Sequence, residues 1–499
     1  MNKVLLFNPR SNDYKARIPN SVLQVATCID HQRDWVIVDG NLETDPQQKI
    51  INYLNTGEFA FFGCTVMPGP QLRQAIPITK LIHEQYPSIK IIWGGYFASN
   101  QYKSVINSGY VDAIINGPGD FAFPKLLLAF ENNEALDGIN NLICKRGDEI
   151  IITQKDSLFD QDLLADMPYD KLNKFYPVER YLGKSYLGTK TIAYHSSFGC
   201  PFTCSFCAVV PIYNAKWRGQ SAEKIYRNIK HLRDVYGGNA IEFHDNNFFV
   251  NEKRTVEFAK LVMNDNMVWW GEGRIDTIDK YSDESLAIMR DSGCKMIFFG
   301  AETGNDAILK KMDKGGKQTG AQILAFAERM KKFDIIPEYS FVLGTPGDSP
   351  EQVMQQIDED IAFINKVKQA NPNTEIIIYV YSPVPTEDSD MYKQVLASGF
   401  RFPEKLEDWL APLWEKFDLR KNPLTPWLTA EMVDKIKNFE TVLNGYYPTV
   451  TDVRLSPSQR RVMKAASTLR FKNKWYKYPY EIKVLQKALK YRQPEVEGF

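Results

Sequence analysis

Three cysteines fall close together in the stretch Gly199-Cys-Pro-Phe-Thr-Cys-Ser-Phe-Cys207. A CxxxCxxC spacing on one short loop gathers three thiolates, and soft thiolate ligands select iron–sulfur clusters or zinc. A four-iron cluster takes four ligands, so Cys200, Cys204 and Cys207 would leave one iron open to an external ligand. Structural zinc sites usually pair two cysteine knuckles, and no second pair is visible nearby. A chance cluster, or a three-cysteine zinc site completed by His195 or His244, remains the alternative. The other cysteines, Cys28, Cys64, Cys144 and Cys294, are scattered, and an odd total of seven is a poor disulfide framework.

A loop of this kind needs a scaffold, and the flanking sequence supplies a repeating one. Short apolar runs that read as strands occur at Thr191–Ser197, Ala240–His244, Val268–Gly271, Met296–Gly300, Glu338–Leu343 and Glu375–Tyr381. Helical patterns follow at Ala222–Tyr236, Glu252–Asn264, Asp283–Ser292, Thr319–Phe333, Pro350–Lys366 and Asp388–Ala397. Six strand–helix units over about 210 residues suit a partial parallel barrel, since a full eight-stranded barrel takes roughly 250. The working face of such a barrel is the carboxyl end of its strands. The cysteine loop follows the first of them.

An earlier alternating series fills the first 140 residues. Val4–Asn8, Trp35–Asp39, Phe59–Thr65, Lys90–Gly94 and Val111–Asn116 read as buried strands, with helical patterns at Ser21–His31, Gln47–Asn55, Gly69–Tyr86 and Phe121–Asn132. That alternation implies a doubly wound parallel sheet that binds ligands beyond its strand ends. Those ends carry Thr65-Val66-Met67, Gly94-Gly95-Tyr96 and Gly117, where glycine lets a backbone approach a large ligand. Residues 141–190 read as a linker with a hairpin around Arg146-Gly147-Asp148, residues 191–400 as the barrel, and 401–499 as a helical, aromatic-rich region with a basic end. The aromatic residues there, among them Trp409, Trp414, Trp427 and Trp475, are expected to cover the barrel mouth or to pack on the barrel as a lid.

Composition narrows the function. The chain has 499 residues, 44% hydrophobic and 24% charged, which is ordinary for a folded protein of roughly three domains. Lys plus Arg and Asp plus Glu both number 61, so no basic excess supports a nucleic-acid binder. No apolar run is long enough to span a membrane, and the N-terminus lacks a signal-peptide pattern, so a cytoplasmic location is expected.

At the cysteine loop the chain resembles the radical S-adenosylmethionine (SAM) superfamily, and Phe206 before the last cysteine fits that pattern. Lys216-Trp217-Arg218, Ser221–Ile225 and Glu242-Phe-His-Asp-Asn-Asn-Phe248 resemble cobalamin-binding members, including methyltransferases and magnesium-protoporphyrin ester cyclases. So do Gly271-Glu-Gly-Arg274, Gly300-Ala-Glu-Thr-Gly304 and Val342-Leu-Gly-Thr-Pro-Gly347. The resemblance implies a 4Fe-4S cluster on Cys200, Cys204 and Cys207, chelated at its open iron by SAM. It implies SAM contacts at Phe206, Asp245, Arg274, Gly300 and Glu302. A carboxylate can accept from ribose hydroxyls or the amino group, and a guanidinium can pair with the methionine carboxylate. It also implies a cobalamin domain over residues 1–140, with contacts at Thr65, Val66, Met67, Gly94, Gly95, Tyr96 and Gly117. The Asp-x-His-x-x-Gly motif that supplies a cobalt ligand in many such domains is replaced by Asp13-Tyr-Lys-Ala-Arg-Ile18, with Lys15 at the histidine position.

The activity so implied is methylation of an unactivated carbon of a small molecule or natural-product intermediate through a 5′-deoxyadenosyl radical, with an electron donor such as flavodoxin or ferredoxin. Cyclisation or rearrangement within the same layout, and a cobalamin-independent enzyme with a degenerate first domain, are the alternatives. Methylthiotransferases of tRNA resemble the chain less, because they hold another cysteine-bound cluster in the first domain. A non-catalytic sensor and a structural zinc protein complete the field.

Overall fold

A computed structural model describes residues 2–12, 15–312, 318–381, 390–415 and 424–491. Its first sheet has seven strands in the order β2-β1-β3-β4-β5-β6-β7. These are β1 (Lys3–Asn8), β2 (Trp35–Asp39), β3 (Phe59–Thr65), β4 (Lys90–Gly94), β5 (Ala113–Ile115), β6 (Leu142–Arg146) and β7 (Glu149–Ile152). The first five are parallel and carry apolar side chains on both faces, as a sheet covered by helices on both sides requires. The hairpin β6–β7 adds to this sheet as an antiparallel edge, through Ala113 opposite Cys144.

The second sheet is parallel throughout, in the order β15-β14-β13-β12-β11-β8. Its strands are β8 (Thr191–Tyr194), β11 (Ala240–Phe243), β12 (Val268–Gly273), β13 (Cys294–Glu302), β14 (Ile336–Leu343) and β15 (Glu375–Val380). Sequential neighbours joined by helices are what six right-handed strand–helix units produce, and the result is a partial barrel. Between β8 and β11 lies a small antiparallel pair, β9 (Ser197–Gly199) with β10 (Trp217–Gly219), which brackets the cysteine loop.

Local chemistry fixes the ends of the helices that separate these strands. Ser221 caps the helix Ala222–Tyr236 by accepting from the Lys224 amide, and that helix closes on Gly237 at φ +76°, a left-handed position that favours glycine. Ser282 and Ser349 cap the helices Asp283–Asp291 and Pro350–Ala370 in the same way.

The aromatic segment after the barrel divides its duties. Trp409 and Trp414 are buried in an apolar cluster that joins the first domain to barrel residues Ile308, Met312 and Tyr381, with Trp409 edge-on to Phe97 at 4.9 Å and 4.8 Å from Trp414. Trp427 does reach the barrel, donating from its indole nitrogen to the Gly344 carbonyl at the tip of β14 (2.9 Å). The helices Ala430–Tyr446, Pro457–Lys472 and Tyr480–Ala488 pack on one another beyond it. No helix among the described residues is long and apolar enough to cross a membrane.

Candidate active site

The carboxyl ends of the two sheets face each other, and side chains cross between them. Tyr96, at the end of β4, donates to Asn246 beyond β11 (2.7 Å). Asn20 donates to the Ala193 carbonyl (3.0 Å) and Asn100 to the Ala208 carbonyl (3.2 Å). Lys155 donates to the Ile212 carbonyl (2.9 Å), and Ile212 lies beside Gly117.

The cysteine loop emerges from β9 into this junction. Gly199, at φ +72°, starts it; a Cβ there would stand 2.2 Å from the Lys216 carbonyl, so only glycine admits the close pass of the two strands. Cys200, Cys204 and Cys207 are all half-buried, whereas Cys64, Cys144 and Cys294 lie in the core. The Cys207 amide donates to the Cys204 carbonyl (3.1 Å), folding the loop into a tight turn. The Arg274 guanidinium donates to the Cys204 sulfur (3.1 Å) and lies flat over the Phe202 ring. Burial raises the Cys200 thiol above its usual range, against the nearby Phe202 amide and Arg274 charge. Among the described residues no three His, Cys, Asp or Glu converge on one ion position. The ligands of a four-iron cluster sit on separate irons and need not do so. Three partly open thiols, a cation at one sulfur and the buried amide of Asn247 beside Cys200 fit a polar inorganic group.

The five residues expected to meet SAM divide into different settings. Asp245 is fully buried and accepts from the Ser196 amide (3.1 Å), the Ser196 hydroxyl (2.8 Å) and the Ser197 hydroxyl. Its oxygens are therefore occupied by the chain that leads into the cysteine loop. Arg274 is held by a bidentate ion pair with Asp276 (2.9 and 3.0 Å), leaving its third nitrogen for Cys204. Glu302 stands at a β-bulge at φ +63°, a left-handed conformation costing about 1–2 kcal/mol for a residue with a Cβ. Gly300 lies opposite Ser340 just before that bulge. Phe206 packs on the apolar cluster that also contains Trp409 and Met312.

The residues expected at cobalamin line three adjacent strand ends. Thr65 accepts from the Ser21 hydroxyl (3.2 Å), the Val66 amide donates to the Gly94 carbonyl (3.0 Å), and Met67 is exposed. Gly95 has φ +90°, and a Cβ there would meet the Val66 carbonyl at 2.8 Å. A Cβ on Gly94 would meet the Ile115 side chain at 3.8 Å, and one on Gly117, at φ +122°, the Ile212 carbonyl at 3.8 Å, which are ordinary contacts. A glycine-lined ledge of this kind fits a large, flat group held by backbone. Of the replaced histidine motif, Asp13 and Tyr14 lie outside the described residues. Lys15 lies against Glu242 of the barrel (3.7 Å), and burial lowers its pKa.

Sequence reasoning missed the charged seam beside Lys15. Arg17 pairs with Glu242 (3.1 Å) and donates to His244 Nε2 (3.1 Å). A guanidinium can only donate and so needs a bare Nε2, whereas the Glu242 carboxylate, 3.3 Å from the same nitrogen, can only accept and needs a protonated one, so the two contacts compete for the imidazole's tautomer. Burial first, then Arg17, push the His244 pKa down to about 4. Glu242 is held well below the usual carboxylate range by Arg17, His244 and Lys15 against its burial. His195, 6.0 Å from His244 ring to ring, keeps an open edge while protein surrounds it, and burial lowers its pKa too. The missed Arg254 is likewise buried, bonding to the carbonyls of Gln220, Phe248 and Ser196. The one available signal was a charge inside an otherwise apolar register, at Glu242 in β11 and Arg254 on its helix.

Residues 194–359 match the Radical SAM superfamily. The barrel is a radical SAM domain. An uncharacterized methyltransferase of Pyrococcus horikoshii is 24% identical over 361 residues, which cover 70% of this chain and 76% of that protein. The anaerobic magnesium-protoporphyrin IX monomethyl ester cyclase of Synechocystis is 25% identical over 244 residues, 48% of this chain and 47% of the cyclase, so the match spans about half of that relative. Among solved structures, the radical SAM methyltransferase TsrM from Kitasatospora setae, with cobalamin and a 4Fe-4S cluster bound, superposes with a TM-score of 0.67. It covers 98% of this chain and 99% of that one at 14% identity, so the two share a fold from the first sheet through the radical SAM domain to the C-terminal helices.

Proposed function

We propose that the chain is a cobalamin-dependent radical SAM methyltransferase acting on an unactivated carbon of a small molecule or natural-product intermediate. The observation that carries this reading is the opposition of a half-buried three-cysteine loop to a glycine-lined ledge, tied together by Tyr96 and Asn246. Cys200, Cys204 and Cys207 would hold a 4Fe-4S cluster, and the ledge at Thr65–Met67, Gly94–Tyr96 and Gly117 would hold a corrinoid. Bound there, the cluster supplies one electron to SAM and the corrinoid a transferable methyl group.

The chain's own residues perform the rest. Arg274, fixed by Asp276, donates to the Cys204 sulfur and so holds that side of the loop in place. Glu302, on its bulge, offers the amino group and ribose hydroxyls of SAM a charged acceptor, and Gly300 and Phe206 shape the same end of the site. Asp245 acts through Ser196 and Ser197 by fixing the path into the loop, which is a positioning role. Lys15 is engaged by Glu242, so no histidine-type ligand rises from that position towards cobalt. The layout we assign is a cobalamin-binding type domain over 1–140, whose sheet the hairpin at the start of 141–190 extends before the linker, then the radical SAM barrel over 191–400 and a helical region over 401–499. The setting we assign is cytoplasmic, with a flavodoxin or ferredoxin as electron donor and no nucleic-acid partner.

The likeness to the Synechocystis cyclase supports a second reading, in which the same layout closes or rearranges a ring. Anaerobic purification with cobalamin supplied, followed by iron, sulfide and cobalt analysis, tests the cofactors. Incubation with methyl-labelled SAM and a reductant then separates the activities. Label entering a product together with 5′-deoxyadenosine supports methylation, and 5′-deoxyadenosine without label transfer supports the second reading. Iron without any retained corrinoid overturns the cobalamin assignment.

A further inference from the structure

The last two helices, Pro457–Lys472 and Tyr480–Ala488, carry a surface that the proposed chemistry does not use. Between Pro457 and Tyr491 there are ten Lys and Arg against one acidic residue, Glu481, in a chain whose net charge is zero. The same segment exposes Val462, Leu469, Trp475, Tyr478, Tyr480 and Val484. Ala465 and Ala466 are exposed between the first two, so Val462, Ala465, Ala466 and Leu469 make an outward apolar stripe at i, i+3, i+4 and i+7 on the helix Pro457–Lys472. Tyr480 and Val484 do the same on the next helix. Exposed apolar groups scattered singly need no explanation, but a concentration rimmed by cations does.

The turn between these helices is built to hold its aromatic rings outward. Arg470 donates to the carbonyls of Trp475 (3.3 Å), Lys477 (2.9 Å) and Tyr478 (3.0 Å) and pairs with Glu481, so the only acid of the segment is spent on an internal brace. Lys474 and Tyr478 sit at φ +57° and +54°, a conformation costing about 1–2 kcal/mol each outside glycine. The Tyr478 and Tyr480 rings stack at 5.9 Å, with Lys477 and Lys483 over their faces. Burying this turn in its own core would have cost no such strain.

We propose that this surface docks the protein on an anionic phospholipid bilayer, with the Trp475–Tyr480 turn and the Val462–Leu469 stripe entering the headgroup region. Trp and Tyr favour that interface because an apolar ring and a polar edge are both satisfied there. The surrounding lysines meet the negative surface potential, each contributing roughly fivefold in affinity. The proposal stands independently of the cofactors.

The test is flotation of the anaerobically purified full chain with phosphatidylcholine vesicles, with and without phosphatidylglycerol. Binding to the anionic vesicles alone, weakened by salt, is expected. K472E/K474E/K477E should lower the partition at least about a hundredfold, and W475A/Y478A about tenfold, with thermal midpoints unchanged because all five side chains are exposed. Equal binding to neutral vesicles, or full binding by both variants, overturns the proposal. So does absence of vesicle binding while a flavodoxin or an RNA binds through the same residues.

Discussion

The two facing sets of strand ends are built from different materials. The barrel's end is charged: Asp245, Arg274 and Glu302 are each buried, and each is either braced by a partner or held in a strained backbone. The first domain's end at β3, β4 and β5 is uncharged, offering Gly94, Gly95 and Gly117 with the side chains of Thr65, Met67 and Tyr96. Binding a small charged ligand needs ions at fixed points, whereas seating a large flat ring needs mainly room. The contrast predicts that damage to each side removes a different group.

Two substitutions break the comparison most sharply. Cys204→Ala removes a sulfur and the acceptor of Arg274, and it should reduce iron and sulfide to near zero and abolish 5′-deoxyadenosine formation while cobalt content stays at the wild-type level. Metal analysis decides it, and a variant that keeps its iron would remove the cluster from this loop. Gly95→Val should do the reverse. Its Cβ cannot pass the Val66 carbonyl, and φ +90° is unfavourable for a branched residue, so corrinoid should be lost with iron retained. Loss of both groups together would mean that the ledge supports the whole junction rather than one ligand.

A subtler pair separates two carboxylates that look alike in the sequence. Asp245→Asn leaves the buried site one acceptor short and should cost about 1–3 kcal/mol of stability, read as a lower thermal midpoint with partial loss of iron. Glu302→Gln should lower the midpoint less than Asp245→Asn does and raise the Kd for SAM about tenfold, measured by equilibrium dialysis with the cluster intact. Equal effects on midpoint and Kd in both variants would erase the distinction between a loop-positioning acid and a ligand-binding one.

Much of this organisation was legible because it is periodic or chemically rare. Buried parallel strands are short apolar runs, so β1 to β5 and the six barrel strands stood out, and a CxxxCxxC loop has few structural uses. Asp245 was legible as an acid at a strand tip and illegible as to partners, because Ser196 and Ser197 lie far from it in sequence and only the parallel pairing of β8 with β11 brings them to it. The destination of Trp409 was hidden for the same reason: an aromatic residue announces burial without naming the surface. The short helix Gly95–Asn100 was not legible, since Gly-Gly-Tyr carries no helical signal and its start is fixed by the Val66 carbonyl receiving the Phe97 amide.

The seam between the sheets offers the finest test, because its charges join the two regions. In the folded chain the His244 pKa is about 4, well below the ordinary imidazole value of about 6.5, because burial and Arg17 oppose its protonation. The stability this neutral form contributes is fully present above pH 6.5 and is lost as pH falls from there to about 4, by roughly 2–3 kcal/mol. Glu242, whose carboxyl is depressed, loses its contribution in the same direction but only below its ordinary value near 4.5. The groups facing His244 are Arg17 and Lys15 from the first domain and Glu242, His195 and Trp270 from the barrel, and burial lowers the His195 pKa as well. His244→Gln should therefore flatten most of the fall in thermal midpoint between pH 7 and 5 and leave the fall below 4.5 in place. A variant curve parallel to the wild type through that window would show that Arg17 does not hold this imidazole neutral and that the seam is not what couples the two sheets.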